Sequence, residues 1–152
     1  MRDPSKIEAG PLAPQAETPA RDVEPDLDLA VMLRLPGVNG SRESPVLRRL
    51  LCLFVSETAR NIKGLHCGAE AGDRPAVQAL AHKMKSASMA IGASRLAARA
   101  RSLEACMKGG ARPRPADVKA VAVAWHDCGK ALVSEGLLSV DGWSGVEGPM
   151  ER

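Results

Sequence analysis

The run Ala81-His82-Lys83-Met84-Lys85-Ser86-Ala87-Ser88-Met89-Ala90-Ile91-Gly92-Ala93 decides how this chain folds. Alanine, lysine and methionine are good helix formers, and glycine is the usual residue just past a helix end. An α-helix turns about 100° per residue. With Met84 at the centre of the buried side, Val77, Leu80, Ala81, Ala87, Ser88 and Ile91 fall within about 60° of it. Such a stripe of small and apolar residues predicts a helix packed in a bundle. His82 falls about 160° away, on the outer face. Gln78, Ala79, Ser86 and Met89 share that face, and Lys85 follows the histidine at i+3, within reach of its ring. Most surface histidines do nothing in particular. Here small neighbours leave the ring approachable, and Met89 is apolar where a purely solvated face favours charge.

The same reading extends in both directions. Asp26 to Leu33 predicts a short helix that stops before Pro36-Gly37. Ser44-Pro45 is an N-cap followed by proline at the first helical position. The helix it opens runs to about residue 69, with Leu47, Leu50, Leu51, Phe54, Thr58, Asn61, Ile62 and Leu65 near one face. Gly72-Asp73-Arg74-Pro75 breaks the chain, and Asp73 caps the helix that carries His82. Another helix spans about 94–108, with Leu96, Ala97, Ala100, Leu103 and Met107 on one side, and Gly109-Gly110 ends it. A last helix spans about 116–137, built on Val118, Val121, Ala122, Trp125, Cys128 and Leu132.

The expected architecture is all-α, an antiparallel four-helix bundle with a short additional N-terminal helix. Residues 25–138 form the bundle. Residues 1–24, with Pro4, Pro11, Pro14 and Pro19, read as a disordered leader or linker, and 139–152, with Gly142, Gly145 and Gly148, as a flexible tail. Aromatic residues make up 2% of the chain, so the core has to be aliphatic.

The motif around His82 resembles the histidine phosphotransfer (HPt) domains of multistep two-component phosphorelays. Those domains carry histidine, lysine at +3, commonly glycine at +4, and glycine at +10 followed by alanine. His82, Lys85, Gly92 and Ala93 match, and Ser86 stands where the family usually has glycine. Leu50-Leu51-Cys52-Leu53-Phe54, Ala71-Gly72-Asp73, and Leu96-Ala97 through Leu103-Glu104 resemble the flanking parts of the family fold. The likeness is good over roughly 44–110 and loose outside it.

The resemblance implies a phosphocarrier. His82 accepts a phosphoryl group from the aspartyl phosphate of a receiver domain and passes it on, Lys85 stabilises the phosphate, and Gly92 is a structural motif position. Gln78, Ala79, Ser86 and Met89 then form the receiver-docking face. Exposed imidazole suits such a role because the free ring titrates near 6.5 and is nucleophilic around neutral pH. The sequence carries no nucleotide loop and no metal cage. No autonomous kinase activity is expected, and no cofactor of its own, Mg2+ being supplied by the receiver. The expected partners are response-regulator receiver domains, or a hybrid sensor kinase of which this is a module.

Other classes fit less well. A non-phosphorylated helical adaptor that binds a receiver or kinase domain is the main rival, and the joint presence of His82 and Lys85 argues against it. Nucleic-acid binding lacks stacking aromatics and a base-reading motif, although residues 73–109 carry seven bases against two acids. His66-Cys67 and His126-Asp127-Cys128 lack the spacing of a zinc site, so no metal is expected. Cys52, Cys67, Cys106 and Cys128 form no CxxC pair. With no secretory signal and no apolar run of transmembrane length, they read as free thiols in a cytoplasmic protein with no direct membrane contact.

Overall fold

The computed structural model describes residues 24–147. The leader therefore lies outside the described residues except for Glu24, and so does the end of the tail beyond residue 147. Among the described residues every element is a helix: α1 (Leu29–Leu33), α2 (Pro45–Ala71), α3 (Arg74–Ile91), α4 (Ser94–Lys108), α5 (Pro115–Ser134) and α6 (Val140–Glu147).

The boundaries follow the local chemistry. The Ser44 hydroxyl accepts hydrogen bonds from the backbone N–H groups of Val46 and Leu47 at the start of α2. The Asp73 carboxylate accepts one from Ala76 at the start of α3. Both satisfy donors that the helix itself leaves orphaned. At the far end of α3, Gly92 adopts φ +90°, and the Ala93 N–H reaches back 2.8 Å to the Ser88 carbonyl. The same closure ends α5 earlier than the sequence suggests. Leu137 N–H donates to the Leu132 carbonyl, so Glu135 to Leu137 form the cap rather than further helix.

Each long helix packs against the next, and α5 returns to α2. The enclosed core is mainly Leu, Val, Ala and Met, with Leu65, Val77, Met84, Leu96, Met107 and Leu132 almost completely buried. The single phenylalanine and both tryptophans of the chain gather in one stack. Trp125 meets Phe54 edge-on at 5.8 Å and Trp143 at 4.7 Å between ring centres.

That stack corrects the expectation of a flexible tail from residue 139. Val140–Glu147 is helical, and Trp143 is only 5% exposed. The cause lies on α5, where Gly129 leaves the space that the indole fills. A Cβ at position 129 would stand 2.1 Å from a Trp143 ring carbon. The burial of one large aromatic ring outweighs the glycines in α6.

The N-terminal segment fixes the end of α3. Asp28 N–H donates to the Gly92 carbonyl at 2.7 Å, and a Cβ on Gly92 would meet the Asp28 carbonyl oxygen at 2.6 Å. Arg95 completes the clasp. Its backbone N–H donates to the Pro25 carbonyl, its guanidinium donates to the Glu24 carbonyl, and it pairs with Asp26 at 3.1 Å.

Candidate functional site

Helix α3 turns its faces as the 100° rule predicts, with one exception. Val77, Ala81, Met84, Ser88 and Ile91 are buried, Leu80 is half-buried, and Ala87 is exposed. Ala87 misses the core because an open groove lies over that flank of the helix.

His82 stands on the outer side with 61% of its side chain exposed. Its Nδ1 lies 2.8 Å from Oε2 of Glu104, which α4 contributes. Glu104 is 5% exposed and gathers two further partners. Lys85 Nζ is 2.7 Å from Oε1, and Lys108 Nζ is 3.3 Å from Oε2. The Lys85 ammonium, above all, holds the Glu104 carboxyl down at about 2, against the opposing effect of burial, and the contacts with His82 and Lys108 add to it. The carboxylate is therefore ionised at neutral pH and can only accept hydrogen bonds. A neutral His82 ring facing it carries its proton on Nδ1 and donates, which leaves the Nε2 lone pair free.

Around the ring is a shallow cleft lined by Pro75, Gln78, Ala79, His82, Glu104 and Lys108. Of the expected outer-face residues, Gln78 and Ala79 border this cleft. Ser86 and Met89 are exposed on the same side but outside it, and Met89 Sδ lies 3.7 Å from the Arg101 guanidinium. Lys85 is expected beside the imidazole. It is instead turned down onto Glu104 and only 22% exposed. Gly92 is where the N-terminal segment docks, a contact that only a residue without Cβ allows.

Three features escape the sequence reading: Glu104, Lys108 and an apolar groove. Glu104 leaves a trace in the sequence, because it lies four residues past Ala100, on the same stripe as Leu96 and Leu103. A carboxylate on a buried stripe requires cationic or hydrogen-bonding partners from a neighbouring helix. The groove, of about 310 Å³, lies along the α2–α3 seam between Leu50, Leu53, Leu35, Ala87, Ala90 and Ile91, with Lys83 at its rim. Leu53 is 56% exposed there.

Among the described residues, no three His, Cys, Asp or Glu side chains converge as metal ligands. His126 instead stands edge-on to Trp143 at 6.2 Å. All four cysteines are free, and burial pushes the Cys128 thiol up to about 12. No described helix is long and apolar enough to cross a membrane.

Neither the comparison with curated proteins nor the comparison with solved structures yields a match. The family model described as Hpt domain matches residues 49–135, which takes in all of α3, α4 and α5, nearly all of α2, and both His82 and Glu104. Hpt domains are phosphocarrier modules of two-component phosphorelays. With more than half of its length matched by that model, this chain belongs to the Hpt domain family.

Proposed function

We propose that the chain carries a phosphoryl group between receiver domains, with His82 as the accepting residue. The observation that carries this reading is the pairing of His82 Nδ1 with the ionised Glu104 carboxylate. It directs the free lone pair of Nε2 into solvent, where a partner's aspartyl phosphate approaches. The O–P bond of that phosphate breaks as the Nε2–P bond forms, and the aspartate leaves as a carboxylate. The proton stays on Nδ1, and Glu104 balances the positive character that the ring acquires. Mg2+ and the aspartate belong to the receiver. The protein's own contribution is position and charge, which is most of what phosphoryl transfer needs. Lys85 keeps the Glu104 carboxylate ionised and in place behind the ring.

We further place receiver docking on the outer face of α3, at Gln78, Ala79, Ser86 and Met89, extended by the apolar groove around Leu53. The four long helices form an antiparallel bundle on this reading, with α1 as its lid. The ring of neighbour contacts and the short turns at 72–73 and 92–93 support that arrangement. Free thiols suit a reducing cytoplasmic compartment.

The test is labelling by a phosphorylated receiver. The wild-type chain takes up an acid-labile, base-stable phosphate, and His82→Gln takes up none while keeping its helicity and melting temperature. Labelling that persists in His82→Gln removes His82 as the acceptor. A chain that binds receivers and is never labelled is an adaptor instead.

A further inference from the structure

The two lysines on Glu104 are not equivalent. Lys85 Nζ sits 2.7 Å from Oε1 and, among the described residues, has that oxygen to itself. Lys108 Nζ sits 3.3 Å from Oε2, the oxygen that also faces His82 Nδ1. Lys108 is 59% exposed against 22% for Lys85. The cleft in front of the imidazole shows the same asymmetry, since Lys108 lines it and Lys85 does not. A longer, shared and solvent-screened ion pair costs little to break. A lysine on a flexible four-carbon stem can turn to a new anion without disturbing its helix.

We infer that Lys108 is the cation that meets a phosphoryl group on His82, while Lys85 stays behind to hold Glu104. This rests on His82 being the acceptor. A phosphoryl group brings close to two negative charges at neutral pH. Placed on Nε2, it stands at the mouth of the cleft that Lys108 lines. It is then a stronger attraction for the ammonium than half of one carboxylate oxygen. As Lys108 turns outward, Oε2 keeps its hydrogen bond from Nδ1, and the carboxylate faces the ring with one competitor fewer. Glu104 thereby becomes a better counter-charge at the moment the ring becomes more positive.

The position of Lys108 offers a plainer reason for a cation. It is the last residue of α4, where positive charge favours the helix dipole. That role affects helix stability and leaves the ionisation of a phosphoryl group on α3 unchanged, so the two are separable.

The full chain is phosphorylated chemically with phosphoramidate, whose N–P bond breaks and releases ammonia as the Nε2–P bond forms. The 31P resonance of the phosphohistidine is then followed through a pH titration at low ionic strength. Lys108→Met is expected to raise the phosphoryl titration midpoint by about half a pH unit, the size of one screened charge at that range. Lys108→Arg retains the wild-type midpoint. A midpoint in Lys108→Met equal to wild type overturns the inference, and so does a shift seen in Lys85→Met alone. Failure of the underlying reading looks different: the wild type gives no phosphohistidine signal, or His82→Gln gives the same one.

Discussion

The two flanks of α3 are built on opposite terms. Toward α4, Glu104 draws Lys85, Lys108 and the His82 ring onto a single carboxylate. Toward α2, Ala87, Ala90 and Ile91 face Leu50 and Leu53 across an open apolar groove. The first flank fixes the direction of polar groups by charge and hydrogen bonds, which tolerate little displacement. The second offers surface that any apolar contour of suitable shape can fill. A carrier that serves more than one partner benefits from this division. The reacting atoms need one geometry, and the docking contacts have to accept variation.

If the division holds, substitutions on the two flanks fail differently. The largest effect belongs to His82→Gln, which abolishes phosphoryl acceptance with the fold intact. Next is Glu104→Gln. It removes the orienting carboxylate and leaves two lysines without a counter-charge, so acceptance by His82 should slow roughly tenfold, measured as the initial rate of labelling. The same variant has a pH signature. The Glu104 carboxyl is lowered from 4.5 to about 2 in the folded chain, so the unfolded chain binds more protons between those values. The stabilisation is full above pH 4.5 and drains away as pH falls toward 2. Denaturation of Glu104→Gln should lack that part of the acid dependence, and its stability gap to wild type should narrow over that window. An unchanged gap would mean that the carboxylate is equally well satisfied in the unfolded chain.

On the other flank, Leu53→Asp puts a charge at the mouth of the groove. Receiver affinity should fall about tenfold, a loss of about 1.4 kcal/mol, while chemical phosphorylation of His82 by phosphoramidate proceeds at the wild-type rate. Slower chemical phosphorylation would show that the flanks are coupled. The smallest effect is expected between them. Ser88 is 1% exposed, and its hydroxyl has no hydrogen-bond partner among the described residues. Ser88→Ala removes that unmet group and should stabilise the chain by about 1 kcal/mol in a denaturant titration, with labelling unaltered.

What the sequence made legible divides along similar lines. Asp73, Gly92 and the buried stripe of α3 could be read because caps and helical period are properties of neighbouring residues. The exposure of His82 followed from the same period. Glu104 was harder. Its importance depends on how α4 is rotated against α3, which no local pattern states, and only its place on an apolar stripe marks it. Its spacing puts Lys85 at the ring, but a carboxylate from another helix competes for it. Trp143 was hidden for a related reason: the glycines around it argue for a frayed end, and the space that receives its indole is made by Gly129 on a different helix.

The clasp between Asp28 and Gly92 has a consequence for the direction of traffic. With Asp73 closing one end of α3 and the N-terminal segment closing the other, hydrogen bonds tie down both ends of the helix. A carrier whose backbone is the same before and after the exchange adds no preference for giving or taking. On the proposed reading, such a carrier works as a two-way junction, and the ratio of charged to empty receivers around it decides which way phosphate flows.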